Sequence, residues 1–188
     1  MNILRTLAIL VLALQLAVAH AAECIGVTMP DQLELGGKTL VLNGLGTRLA
    51  TMLQVKVYVA GLYLERHSQD AAAIVAADRP WHLALKFVRG VTKGEITDAW
   101  TDGFKKNAPD YASVAKRVAT LNESMTDLKN GSSLTFSYLP GEGTTVAIDG
   151  DRKATIAGAD FASALLSIWL GKPPNKEIKI GLLGGECD

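Results

Sequence analysis

Residues that commonly bind metal ions are scarce in this sequence. Its 188 residues include three histidines and two cysteines, and none of them recur at the short spacings that metal ligands require. We therefore predict no metal site. No sequence motif indicates another cofactor, so we expect none.

Aromatic residues and an excess of positive charge are also lacking. Aromatic side chains make up 6% of the chain, and nineteen Lys and Arg balance nineteen Asp and Glu without forming a basic stripe. Nucleic-acid binding depends on clustered cations, and binding of single strands also depends on aromatic stacking. We therefore expect no nucleic-acid partner.

Motifs for catalysis are absent as well. Ser163 and Ser167 lie in a predicted helix without the strand–turn–helix context of a nucleophile, and no histidine is placed to act as their base. Asp149 and Asp151 flank a glycine and are typical turn residues. The glycines at residues 44–46 lack the strand-to-helix context of a phosphate loop. We predict no catalytic residue from these patterns.

The first residues predict a cleaved export signal at residues 1–21. Arg5 supplies a positive start, residues 7–18 are apolar, and residues 19–21 have the small-x-small pattern of a cleavage site. The apolar run is shorter than the roughly 20 residues that a spanning helix needs. We expect an exported protein, periplasmic or secreted, with one domain over residues 22–188 and no membrane span after cleavage.

Two cysteines, Cys24 and Cys187, stand at opposite ends of this predicted domain. An even number of cysteines in an oxidising compartment indicates a disulfide, which here would join the two ends of the chain. Two free thiols, or pairing with another chain, are the alternatives. No Cys-x-x-Cys motif is present, so we interpret the cysteines as structural.

Apolar periodicity predicts an α+β fold. The segment Val55–Leu64 is apolar on both faces and therefore indicates a central strand that is covered on both sides. Thr92 and Glu95 form a capping box that starts a helix. Further strands are predicted at residues 33–35, 40–42, 81–89, 134–138, 144–148 and 153–156, and further helices at residues 68–77 with Ser68 as N-cap, after 109, and at 160–170. A last helix or extended arm is predicted at residues 176–183. Strands and helices do not alternate regularly, which favours a mainly antiparallel sheet.

Arg48 and Tyr58 are the candidate ligand-binding residues. Arg48 is predicted in a glycine-flanked turn, and Tyr58 lies on the central strand that follows. A buried guanidinium requires a counter-charge, which an anionic ligand could supply. Alternatively, Arg48 is solvated or paired with a carboxylate and Tyr58 is a core residue. Arg89, in phase with the buried face of its strand, is a possible second cation.

These residues also carry a resemblance to a known family. The run of residues 46–48 followed by residues 56–64 resembles the chalcone isomerase superfamily, in particular its bacterial exported branch. The similarity extends through four blocks, at residues 40–64, 83–104, 131–150 and 161–184. It implies an open-faced β-sandwich in which helices cover a large, mainly antiparallel sheet, with an apolar cleft between them.

The resemblance implies two different activities. In the isomerases, an arginine matching Arg48 holds the negative oxygen of the substrate, but the threonine on the next strand is replaced by Tyr58. The position of a small hydroxyl residue falls on Ala162, beside Ser163. Tyr111 and Asn107 are only nominal candidates for the remaining cleft residues.

The pair of Arg48 and Tyr58 is similar instead to the non-catalytic, fatty-acid-binding branch. The sequence therefore favours an exported protein that binds a small amphipathic acid, with the carboxylate on Arg48 and Tyr58. The alternatives are an isomerase that closes a conjugated phenolic ketone, and a ligand-free module that binds an envelope partner.

Overall fold

A seven-stranded antiparallel sheet forms the centre of the computed structural model, which describes residues 21–51 and 53–187. Nearly all of the predicted export signal lies outside the described residues. The sheet runs in chain order from β3 to β9, and β1 and β2 form a separate hairpin. The strands are β1 (Ala21–Cys24), β2 (Val27–Pro30), β3 (Gln32–Leu35), β4 (Lys38–Ala50), β5 (Val55–Leu64), β6 (Trp81–Phe87), β7 (Ser133–Leu139), β8 (Gly143–Ile148) and β9 (Asp151–Ile156).

Within the described ranges five helices accompany the sheet, and this α+β architecture confirms the predicted fold class. The helices are α1 (Ala71–Ala76), α2 (Lys93–Asn107), α3 (Tyr111–Glu123), α4 (Ala159–Leu170) and α5 (Lys176–Leu182). Helix α4 is the most buried of the helices, and all of its residues from Phe161 onward except Ser163 are buried. It packs against α1, α2 and α3, and with them covers the inner face of the sheet. No helix in the described part of the chain is long and apolar enough to cross a membrane.

Strand β5 is buried on both faces, as its sequence predicts. On the inner face, Tyr58 and Leu62 belong to the main core beneath the helices. On the outer face, Val59 packs with Met29 of the β1–β2 hairpin, and the Tyr63 hydroxyl donates to the Pro30 carbonyl at 2.9 Å. The sequence favours a turn at residues 29–30, where Pro30 follows Met29, but these residues instead end β2, the strand that covers β5.

Helix starts follow local hydrogen bonding. The predicted capping box is present, with the Thr92 side chain accepting from the Glu95 amide and Glu95 accepting from Thr92. The prediction of Ser68 as the N-cap of α1 is wrong. Asp70 caps this helix by accepting from the Ala73 amide at 3.0 Å, because the Ser68 backbone is bound to the side chain of Asn43.

The predicted C-terminal segment is a helix, α5, which lies directly on β4. A Cβ at Gly44 would collide with the Gly181 carbonyl, and a Cβ at Gly46 would collide with the backbone of Ile178. The two glycines of β4 thus permit a close helix–strand contact. Beyond α5, Cys187 forms a disulfide with Cys24 of β1, with their Cα atoms 5.9 Å apart. This is the intramolecular pairing that the sequence predicts.

The disulfide joins both termini of the described chain, and removing it should destabilise the fold. We expect replacement of both Cys24 and Cys187 by Ala to lower the free energy of unfolding by about 2–5 kcal/mol, because the unfolded chain regains the entropy of a very long loop. Urea unfolding of the oxidised wild type and the double variant measures the difference. The reduced wild type is the control and should resemble the variant. Equal stability of the oxidised and reduced wild type would contradict the prediction.

Candidate functional site

A cavity of about 360 Å³ lies between the sheet and the helices, at the ends of β4, β5 and β6. Helix α2 forms one wall, and the segment between α4 and α5 closes another. The cavity lies on the inner side of the sheet, where the resemblance predicts a cleft. Its lining consists of Arg48, Ala50, Val57, Tyr58, Phe87, Arg89, Val91, Glu95, Ile96, Ala99, Trp100, Asp102, Gly103, Lys106, Ile168, Lys172, Pro173 and Pro174.

Arg48 lies in strand β4, so its predicted position in a turn is wrong. Strand β4 extends through Ala50, and the chain reverses only between Thr51 and Gln54. In the β4–β5 ladder Arg48 is directly opposite Tyr58. Paired residues of antiparallel strands place their side chains on the same face, so both side chains reach the cavity. The two predicted binding residues are therefore neighbours.

The guanidinium of Arg48 is half-buried and has no carboxylate partner among the described residues. Its Nη1 donates to the carbonyl of Leu49. A guanidinium has five N–H donors, so this single bond leaves most of its capacity available to a ligand.

Tyr58 is buried, and its hydroxyl accepts a hydrogen bond from Nε1 of Trp169 at 3.0 Å. An indole nitrogen can only donate, so the hydroxyl proton of Tyr58 is not used in this contact and is available to a different acceptor. Burial raises the pKa of Tyr58 to about 12, and the hydrogen bond from Trp169 and the charge of Arg48 offset part of this effect. Tyr58 is therefore a neutral donor beside a cation at neutral pH.

Apolar side chains form the interior of the cavity. Phe87 packs against Tyr58 with ring centroids 5.2 Å apart, and Trp100 packs against Trp169 at 5.5 Å. Ile168 adds an aliphatic wall from α4. The polar groups of Arg48 and Tyr58 thus border an interior that suits an apolar group.

The outer part of the cavity is lined by exposed charged residues. Arg89, Lys106 and Lys172 carry positive charge, and Glu95 and Asp102 carry negative charge. The Glu95 carboxylate also accepts from the backbone and hydroxyl of Thr92, and these bonds lower its pKa. Arg89, the possible second cation, lines the same cavity as Arg48 but is exposed.

The candidates suggested by the isomerases lie outside this lining. Ala162 is buried in α4, and the hydroxyl of Ser163 donates to the Val75 carbonyl at 3.0 Å. Asn107 joins the end of α2 to Lys172 through hydrogen bonds with its backbone. Tyr111, at the start of α3, packs beneath Lys105 of α2. Their contacts are structural.

Among the described residues, no group of three or more His, Cys, Asp or Glu side chains could hold a metal ion. His82 lies on the outer face of the sheet, where its ring contacts the Ser137 hydroxyl at 2.7 Å. Burial lowers the pKa of His82 to about 4, so its ring is neutral at neutral pH.

The curled antiparallel sheet, its helical cover and the cavity between them define an α+β protein with a ligand-sized cavity beneath its helices. A model of the chalcone isomerase-like family matches residues 21–184, and the chain belongs to this family. The chain is similar to the crystal structure of a fatty-acid binding protein from Arabidopsis thaliana, at 14% sequence identity and a TM-score of 0.71. The match covers 87% of this chain and 96% of that chain, and at this identity it shows a shared fold. No curated protein matches the chain.

Sequence reasoning missed the contribution of Trp169. The helical periodicity of α4 indicates that Trp169 is a core residue, but periodicity carries no information about the partner of its N–H group. The contact with Tyr58 joins residues 111 positions apart, so local sequence patterns could not reveal it. The one available signal is that a buried tryptophan N–H usually requires an acceptor.

The raised pKa of Tyr58 predicts a specific loss of stability in alkali. The folded-state pKa of about 12 exceeds the ordinary tyrosine pKa of 10.0, so the stabilisation is fully present below pH 10 and disappears as the pH rises to about 12. We expect Tyr58→Phe to reduce this alkaline decrease in the free energy of unfolding by about 2–3 kcal/mol. Denaturant titrations between pH 7 and the alkaline range measure it. An equally large alkaline decrease in the free energy of unfolding of wild type and variant would contradict the raised pKa of Tyr58.

Proposed function

We propose that the protein binds a small amphipathic carboxylic acid, such as a fatty acid, without catalysing its conversion. The carboxylate binds to Arg48 and Tyr58, and the alkyl tail occupies the apolar part of the cavity. The observation that carries this proposal is the cross-strand pair itself, in which a cation with no carboxylate partner in the described part of the chain stands beside a neutral hydroxyl donor.

The two donors suit a carboxylate for complementary reasons. The Arg48 guanidinium offers parallel N–H groups that match the two oxygens of a carboxylate, and its charge strengthens each hydrogen bond. The Tyr58 proton adds a bond without adding charge. The Tyr58 oxygen already accepts a hydrogen bond from Trp169. The hydroxyl group of Tyr58 therefore donates its proton to the ligand.

The remainder of the cavity suits an alkyl tail. The whole cavity has a volume of about 360 Å³, at the lower end of the roughly 300–1,000 Å³ found for small-molecule sites. Each methylene group that leaves water contributes about 0.8 kcal/mol. A tail of modest length therefore supplies most of the affinity, and the carboxylate contacts supply orientation and selectivity.

Two further observations support this proposal. The chain belongs to the chalcone isomerase-like family, and a protein with the same fold is named for fatty-acid binding. The disulfide between Cys24 and Cys187 suits an oxidising compartment, which supports an exported, periplasmic or secreted location. We propose that residues 1–21 are the export signal and residues 22–188 the single working domain.

Arg48→Gln should weaken the binding of decanoate about tenfold to a hundredfold, because charge-assisted hydrogen bonds are lost. Isothermal titration calorimetry measures the affinity. Arg66→Gln is the matched control, since Arg66 is exposed near the opposite end of β5 and should leave the affinity unchanged. Decanol is the matched ligand, and its affinity should not depend on Arg48 because it carries the same tail without a carboxylate.

Equal decanoate affinity in wild type and Arg48→Gln would contradict the proposal. Failure of the wild type to bind decanoate, together with conversion of a hydroxychalcone above background that disappears in Arg48→Gln, would favour the isomerase instead. Failure in both assays would favour the accessory module that binds an envelope partner.

A further inference from the structure

We infer that Asn175 is a positioning residue for Arg48, and this inference rests on the proposed function of Arg48. Asn175 lies at the start of α5, and its side chain contacts strand β4 on both sides of Arg48. Its Nδ2 donates to the Thr47 carbonyl at 3.0 Å, and its Oδ1 accepts from the Leu49 amide at 3.1 Å. The backbone on each side of the ligand-binding arginine is thereby held by one side chain.

The edge of strand β4 explains why this support is needed. Strand β3 pairs only with the first residues of β4, from Lys38 to Val41. Among the described strands, the opposite end of β4 therefore pairs with β5 on one side and with none on the other. The backbone groups of Thr47 and Leu49 point to the side that lacks a strand, because alternate residues of a strand bond in the same direction. Asn175 supplies the donor and the acceptor that a neighbouring strand would supply there.

The β4–β5 ladder is irregular at this point. The register shifts between Arg48 and Leu49, since Arg48 pairs with Tyr58 and Leu49 pairs with Lys56. Such bulges redirect side chains and weaken local pairing, and they are common beside functional sites. The pairing with β5 holds the backbone weakly at this bulge. The two hydrogen bonds from Asn175 therefore fix the direction of the Arg48 side chain.

The side chain of Asn175 bonds to β4 and does not cap the backbone of its own helix. Asparagine at an N-cap position usually accepts a hydrogen bond from the first turn of the helix, but Asn175 makes no such bond. Its Nδ2 also donates to the Glu177 carboxylate at 3.1 Å. Carbonyl and carboxylate oxygens are acceptors only, so the two contacts of Nδ2 fix the amide orientation and place Oδ1 towards Leu49.

A double-mutant cycle on decanoate affinity tests this inference. In the wild-type background we expect Asn175→Ala to weaken binding about tenfold, within the range of coupling found for residues that share contacts. In the Arg48→Gln background the same change should have no effect, because there is no guanidinium left to position. Asn122→Ala is the matched control, since its amide joins α3 to Thr101 of α2 away from the cavity and should not couple to Arg48.

The free energy of unfolding, measured for the same variants, separates positioning from stability. Asn175→Ala should destabilise the fold equally in both backgrounds, whereas its effect on affinity should appear only when Arg48 is present. Equal losses of affinity in both backgrounds would overturn the positioning role and leave the proposed function intact. If Arg48→Gln alone leaves affinity unchanged, the proposed function fails and the inference fails with it.

Discussion

The burial of strand β5 on both faces is the constraint on which the other features depend. Its outer face needs a cover, which the β1–β2 hairpin provides, and its inner face needs the helices. The hairpin in turn carries Cys24, whose disulfide holds the segment after α5. That segment is continuous with α5, which lies on β4 and, through Asn175, bonds to the backbone on both sides of Arg48. The cavity and its polar pair are thus positioned by the same packing that stabilises the sheet.

The chemistry of the site follows from unequal burial of two paired residues. Tyr58 is enclosed, and burial raises its pKa so that it stays neutral. Arg48 is half-exposed at the edge of the same cavity, where a guanidinium keeps its charge without a buried counter-ion. One cation and one neutral donor on an apolar cavity match a single negative charge on an apolar tail.

The sequence predicts the architecture well wherever a pattern is local. The two-sided apolar pattern of Val55–Leu64, the alternation in β6 and the capping box of α2 each lead to the correct element. The family resemblance adds the arrangement of sheet and helices and singles out Arg48 and Tyr58. Errors occur where a neighbour distant in the chain decides the outcome, as at the β1–β2 hairpin.

The site itself was predictable only in part. Arg48 and Tyr58 could be named from the sequence, but Trp169 and Asn175 could not, because each acts through a contact with a distant strand. The predicted turn at Arg48 is wrong because the glycines of β4 resemble those of a turn. These glycines are required instead by the close approach of α5, which no property of β4 alone reveals.

The most direct test of the account is to identify what the protein carries. Native mass spectrometry of wild type and Arg48→Gln, each purified from the same cells, detects a bound small molecule, and gentle denaturation releases it for identification. We expect a carboxylic acid with an apolar tail in the wild type and its loss in Arg48→Gln. An equally occupied Arg48→Gln variant, or a bound molecule without an acidic group, would contradict the account.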